Sequence, residues 1–140
     1  MSTPDLLTVQ TRLNCGVARA WSAYTDPAAI VQWNFAAPEW HCPRAENDLR
    51  VGGTLRSRME AKDGSMGFDF EGTYTEVVPM ERLAYALGDD RKVLATFRET
   101  GGVTELTVSF TPDSTFPAEH QIGGWQAILN NYKAYAESAV

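Results

Sequence analysis

The feature that most limits how this chain can fold is an apolar stripe at its C-terminal end. Ile122, Trp125, Leu129, Tyr132, Ala136 and Ala139 recur at spacings of three and four, and Ile128 and Tyr135 widen the stripe. Side chains so spaced share one face of an α-helix. Pro117 and Glu119 favour a helix start just upstream. Gly123-Gly124 costs about 1 kcal/mol per glycine in a helix interior, and two such small residues would let the helix approach another backbone closely. An apolar face this broad has to be covered, and what precedes it in the chain is a series of strands.

From Leu6 to Leu13, Leu7, Val9 and Leu13 alternate with polar residues, the period of a half-buried strand. Asn14, Cys15 and Gly16 break it. Val17, Ala20, Trp21 and Tyr24 then mark a short amphipathic helix, and Asp26 with Pro27 supplies an N-cap and first position for a second, ending near Trp33. Asn34 to Pro43 shows no period, contains two prolines and reads as an aromatic-rich loop. Period two returns from Glu46 to Val51, before the turn pair Gly52-Gly53, and again in Thr54 to Ala61, Met66 to Val78 and Arg82 to Leu87. After a turn at Gly88-Asp89-Asp90, Lys92 to Glu99 and Val103 to Phe110 form the last hairpin around Thr100-Gly101-Gly102. Short turns make successive strands antiparallel neighbours. A sheet of about seven strands curls under its own twist. The expected architecture is therefore α+β, a curved antiparallel sheet around the long C-terminal helix, with two short helices after the first strand.

Composition narrows the function classes. The chain has 140 residues, a single domain spanning 1–140, and can bury a core without metal or disulfides. Its net charge of −6 opposes phosphate backbones and anionic membrane surfaces, so neither nucleic acid nor membrane insertion is expected. Cys15 and Cys42 have no zinc-like or disulfide-framework spacing. MSTPDLLTVQTRL has no charged segment leading into an apolar one, so no signal peptide is visible and a cytoplasmic protein is expected.

Four segments carry a family resemblance: VARAWSAYTDPAAIVQWN (Val17 to Asn34), LRVGGTLRSRM (Leu49 to Met59), FEGTYTEVVPMERLAY (Phe70 to Tyr85) and GGWQAILNNYKAYAE (Gly123 to Glu137). In this order and spacing they resemble the activator of heat-shock protein 90 ATPase homologue family, within the START-like or SRPBCC superfamily. The resemblance implies a helix-grip fold and a hydrophobic-ligand or lipid-like binding role. The superfamily also includes polyketide cyclases and dehydratases, lipid-transfer domains and chaperone activators, so fold alone does not settle function. The eukaryotic chaperone activators carry an additional N-terminal domain, for which this chain has no room.

Alternation turns Ser57 and Met59, Phe68, Phe70 and Tyr74, Tyr85, and Phe97 toward the helix, where Trp125, Leu129 and Tyr132 face them. Such residues fill a core or line a ligand pocket of roughly 300–1,000 Å³, with hydroxyls orienting the occupant. The loop residues Trp33, Phe35, Trp40 and His41 complete the expected site as a mouth or lid. The leading expectation is non-catalytic binding of a small apolar or amphipathic molecule, with no cofactor, no metal and no catalytic residue. The alternatives are a cyclase- or hydrolase-type enzyme using Tyr74, Tyr85 or His41 as acid–base groups, and a protein-interaction module. A homodimer or a chaperone partner stays open, with no residue pattern supporting either. His41 and Cys42, being adjacent in extended chain, point in different directions and make a poor catalytic pair. Asp69, Glu71, Arg56, Arg58 and Glu60 read as a solvated outer face with cross-strand ion pairs.

Overall fold

A computed structural model describes residues 6–87, 91–112 and 117–138. The turn expected at Gly88-Asp89-Asp90 and the Ala139 end of the helical stripe lie outside these residues. The elements are β1 (Leu7–Leu13), α1 (Val17–Thr25), α2 (Pro27–Trp33), β2 (Trp40–Asn47), β3 (Thr54–Ala61), β4 (Gly67–Val78), β5 (Arg82–Ala86), β6 (Lys92–Thr100), β7 (Val103–Phe110) and α3 (Ala118–Ser138). Strands β2 to β7 form the expected antiparallel meander, and β1 joins its far edge, giving the order β1-β7-β6-β5-β4-β3-β2. The two edge strands are thus consecutive in sequence apart from the helix pair between them. α1 and α2 therefore have to cross the sheet from one edge to the other.

Asp26 both ends α1 and starts α2. Its backbone N–H donates to Ser22 O at 2.9 Å, while its side chain accepts from Ala28 N at 3.0 Å. α3 packs on β1, α1 and α2. Side chains bridge the gap toward the far half of the sheet: the Trp125 ring, stacked on Phe110 of β7 at 4.2 Å, meets Phe70 of β4 at 6.2 Å. The inner face of the sheet holds the core, with Leu13, Leu83, Val93, Leu106, Val108 and Phe110 essentially inaccessible. The outer face carries the expected ion pairs, Arg56 to Glu71 at 2.8 Å and Arg58 to Asp69 at 3.4 Å, in direct cross-strand register.

Two expectations are corrected. The segment read as a loop up to Pro43, followed by a strand from Glu46 to Val51, is instead one strand, Trp40–Asn47, after which Asp48 to Gly53 turn back. Pro43 sits at a register shift between His41 and Arg44 on an edge strand, where no ladder N–H is required of it, and this masks the strand in the sequence. Gly123 and Gly124 do not mediate close packing: a Cβ at either would have nothing within 4 Å.

Candidate functional site

The curved sheet and the three helices enclose a cavity of about 230 Å³. Its sheet side is built by alternation. Leu55, Ser57 and Met59 come from β3, Phe68, Phe70 and Tyr74 from β4, Leu83 and Tyr85 from β5, and Val108 from β7. Gly72 falls on the same face of β4 and leaves a place for the Tyr85 ring; a Cβ there would stand 2.7 Å from its Cδ2. Trp125, Ile128 and Leu129 cover the cavity from α3, and Tyr24, Ile30, Trp33 and Asn34 close it from α1 and α2.

Of the residues singled out in the sequence, Trp33, Ser57, Met59, Phe68, Phe70, Tyr74, Tyr85, Trp125 and Leu129 are brought together in this wall. Phe35, Trp40, His41, Phe97 and Tyr132 are not. Phe97 packs edge-on against Trp21 and Tyr24, at 5.3 and 5.5 Å, in the core below α1. Tyr132 is wholly buried and donates to Ala20 O at 2.6 Å. Phe35 is half-buried, its carbonyl accepting from Asn131 Nδ2 at 2.8 Å. Trp40 leans on Phe68 at 5.9 Å, beside the half-exposed end of the wall. His41 turns to the outer face, its Nε2 3.9 Å from Glu60. It is unavailable as an acid–base group for anything inside the cavity. Cys42, its neighbour, turns inward, is buried, and donates its thiol to Arg44 O at 3.3 Å.

Tyr24, Ile30, Asn34 and Ile128 were not anticipated as wall residues. Tyr24 and Ile128 belong to apolar helical stripes that the sequence does display, but a stripe shows which face is buried and not which part of it borders open space.

The polar groups of the cavity are few and uneven. The Tyr74 hydroxyl donates to Asn47 Oδ1 at 2.6 Å, and Asn47 Nδ2 donates in turn to Thr25 O at 2.7 Å, pinning β2 and β4 to the end of α1. Among the described residues the hydroxyls of Tyr24 and Tyr85 have no hydrogen-bond partner, yet neither oxygen is occluded. Burial pushes the Tyr74 phenol up to about 12, and raises those of Tyr24 and Tyr85 further. All three are neutral hydroxyls at pH 7. Among the described residues no lysine, arginine or histidine lines the cavity. Glu46 contributes to the wall, but its side chain is 73% exposed and lies 3.9 Å from Arg56 on the outer face. No group of three or more His, Cys, Asp or Glu among the described residues is placed to hold a metal ion.

This inequality predicts a mutational contrast. Tyr74→Phe leaves the half-buried Asn47 oxygen unpartnered and should cost about 1–2 kcal/mol. Tyr24→Phe and Tyr85→Phe remove hydroxyls with no hydrogen-bond partner among the described residues and should stay within about 0.5 kcal/mol of the parent. Urea denaturation of the three variants measures this, and equal losses in all three would refute the hydrogen-bond assignment.

Comparison with known proteins places the fold. The family model described as activator of Hsp90 ATPase homolog 1-like protein matches residues 14–137. The chain belongs to this family. Among solved structures, an AHSA1-like protein from Aeromonas hydrophila is 36% identical, with 95% of this chain and 94% of that one covered and a TM-score of 0.85. A protein from Cytophaga hutchinsonii is 45% identical over 96% of this chain and 93% of that one, at a TM-score of 0.82. One from Chromobacterium violaceum is 26% identical over 96% and 99%, at 0.84. No curated protein matches. The helix-grip architecture expected from the sequence is thus the family's own, and among the described residues no helix is long and apolar enough to cross a membrane.

Proposed function

We propose that this member of the family binds a small apolar or amphipathic molecule in the cavity between sheet and α3, without catalysing a reaction on it. The observation that carries this reading is the cavity itself, about 230 Å³ of space walled mainly by aromatic and aliphatic side chains. Protein interiors are close-packed, and voids larger than a water molecule are few. This space is partly open to solvent, with Phe68 half-exposed at its wall, so an apolar occupant displaces water from apolar side chains, and burying its surface contributes about 25 cal/mol per Å². The phenols favour binding over turnover: held neutral far above pH 7, they are poorly matched to proton transfer there. The free, buried thiols of Cys15 and Cys42 support a cytoplasmic setting.

The test is thermal unfolding against a library of lipids and aromatic metabolites. A ligand at a hundredfold excess over its Kd adds about 2.7 kcal/mol to the folded state and raises the midpoint by several degrees. Ile128→Trp replaces an aliphatic side chain with a bulkier indole in the cavity from a half-buried helical position, and should abolish the rise while the variant stays folded. A library without a single stabilising compound would sink the proposal.

A further inference from the structure

We infer that the cavity selects an uncharged ligand, about the size of a fused bicycle, that carries one carbonyl or hydroxyl oxygen held by Tyr24 and Tyr85. The inference rests on the binding function proposed above and names the chemistry of the occupant.

Size comes first. An apolar cavity of roughly 150 Å³ takes one benzene, and pockets for drug-sized molecules run from roughly 300 Å³ upward. At about 230 Å³ this cavity falls between the two. A long acyl chain is too large to be enclosed whole.

Polarity comes next. Tyr85 is only 6% exposed and Tyr24 is half-buried among Trp33, Phe97 and Tyr132, and both border the cavity. Each is nevertheless a donor without a partner among the described residues, in the wall of an apolar cavity. Tyr74 differs, because its proton is already committed to Asn47. A pure hydrocarbon would leave the Tyr24 and Tyr85 donors dry, which is unfavourable for any buried polar group. A ligand oxygen able to accept from them removes that loss.

Charge comes last. A carboxylate or phosphate in this space would meet no lysine, arginine or histidine among the described residues, and a buried anion without a cation is strongly disfavoured. Ionising either phenol to receive a cation is opposed by burial and by the neighbouring phenols. The occupant that satisfies all three constraints is neutral, compact and has a single polar oxygen.

Three probes with one skeleton separate the terms: 2-ethylnaphthalene, 2-acetylnaphthalene and 2-naphthoate, titrated at pH 7.5 by NMR against the parent protein, Tyr24→Phe and Tyr85→Phe. The ketone should bind the parent about tenfold more tightly than the hydrocarbon, and the carboxylate at least tenfold more weakly than the ketone. Each phenylalanine variant should lose most of the ketone's advantage, while the hydrocarbon, which no longer leaves that hydroxyl dry, binds at least as tightly as it does to the parent. A merely structural role for the hydroxyls would move both probes together and overturn the inference. So would a ketone no tighter than the hydrocarbon, or a carboxylate that binds best; in these cases hydrocarbon binding leaves the cavity's binding function standing. If none of the three binds, the inference falls, and the library screen decides the binding function separately.

Discussion

Tyr132→Ala is expected to remove about 3–5 kcal/mol of stability, the range for deleting a buried aromatic ring. Tyr132 is inaccessible to solvent and stands where the three helices meet. Its ring packs edge-on against Tyr24 at 5.3 Å and Trp33 at 5.2 Å, while those two stack on each other at 5.5 Å. Its hydroxyl donates to Ala20 O at 2.6 Å, and Trp33 Nε1 donates to Ala23 O at 2.9 Å, so all three helices are joined by rings and hydrogen bonds alike. Alanine removes the ring and leaves a void that the surrounding side chains refill only in part. Tyr132→Phe keeps the ring and should lose only about 1 kcal/mol, the net worth of one hydrogen bond. Urea midpoints at constant m-value compare the two; losses of equal size would mean that the ring contacts contribute little. The consequence reaches the cavity. Tyr24 and Trp33 form its helical end and would relax into the space Tyr132 vacates, so the alanine variant should also lose the binding that 2-ethylnaphthalene shows with the parent.

The same residue shows where reading a sequence stops. The period of α3 placed Tyr132 on the buried face, which is correct, but periodicity reports a face and not a neighbour. Trp125 and Leu129, on earlier turns of that face, border the open space, whereas Tyr132 lies past its end, against α1 and α2. Phe97 parallels it on the sheet, inward-facing by alternation but covered by Trp21 and Tyr24. Strands with clean alternation, such as Thr54–Ala61 and Val103–Phe110, were legible to the residue. The strand Trp40–Asn47 was not, because Pro43 and the register shift beside it break the period that identifies a strand. His41 was misplaced for the same reason, since the side a strand residue takes cannot be read where the strand itself is missed. The pairing of β1 with β7 joins the two ends of the sheet's chain path across 91 or more residues of sequence, from Leu13↔Thr104 outward, and no local pattern encodes it.

Gly53→Ala is expected to cost about 3 kcal/mol, the upper end of ordinary overpacking, and more than Gly52→Ala, although only Gly52 has a positive φ. The two glycines that read alike in the sequence are needed for different reasons. Gly52 sits at φ +85°, and a Cβ there would meet nothing within 4 Å. Its replacement costs the conformational preference alone, roughly 1–2 kcal/mol. Gly53 is buried in the turn, and a Cβ would lie 2.1 Å from Asp48 O and 3.0 Å from Arg50 O. Both are backbone atoms, and the turn is already held by Arg50 N donating to Asp48 O and Gly53 N donating to Arg50 O. Relief therefore requires moving the chain. The movement would be felt at Tyr74, whose N–H donates to Gly53 O at 2.9 Å while its carbonyl accepts from Gly52 N at 2.9 Å. Those two bonds fix the strand position from which the Tyr74 hydroxyl reaches Asn47, and through Asn47 the end of α1. Gly53→Ala should accordingly shift the amide resonances of Thr25, Asn47 and Tyr74, whereas Gly52→Ala should leave Thr25 in place. Equal destabilisation by the two substitutions, or a Thr25 amide unmoved in Gly53→Ala, would show that the turn and the polar corner of the cavity are not coupled in this way.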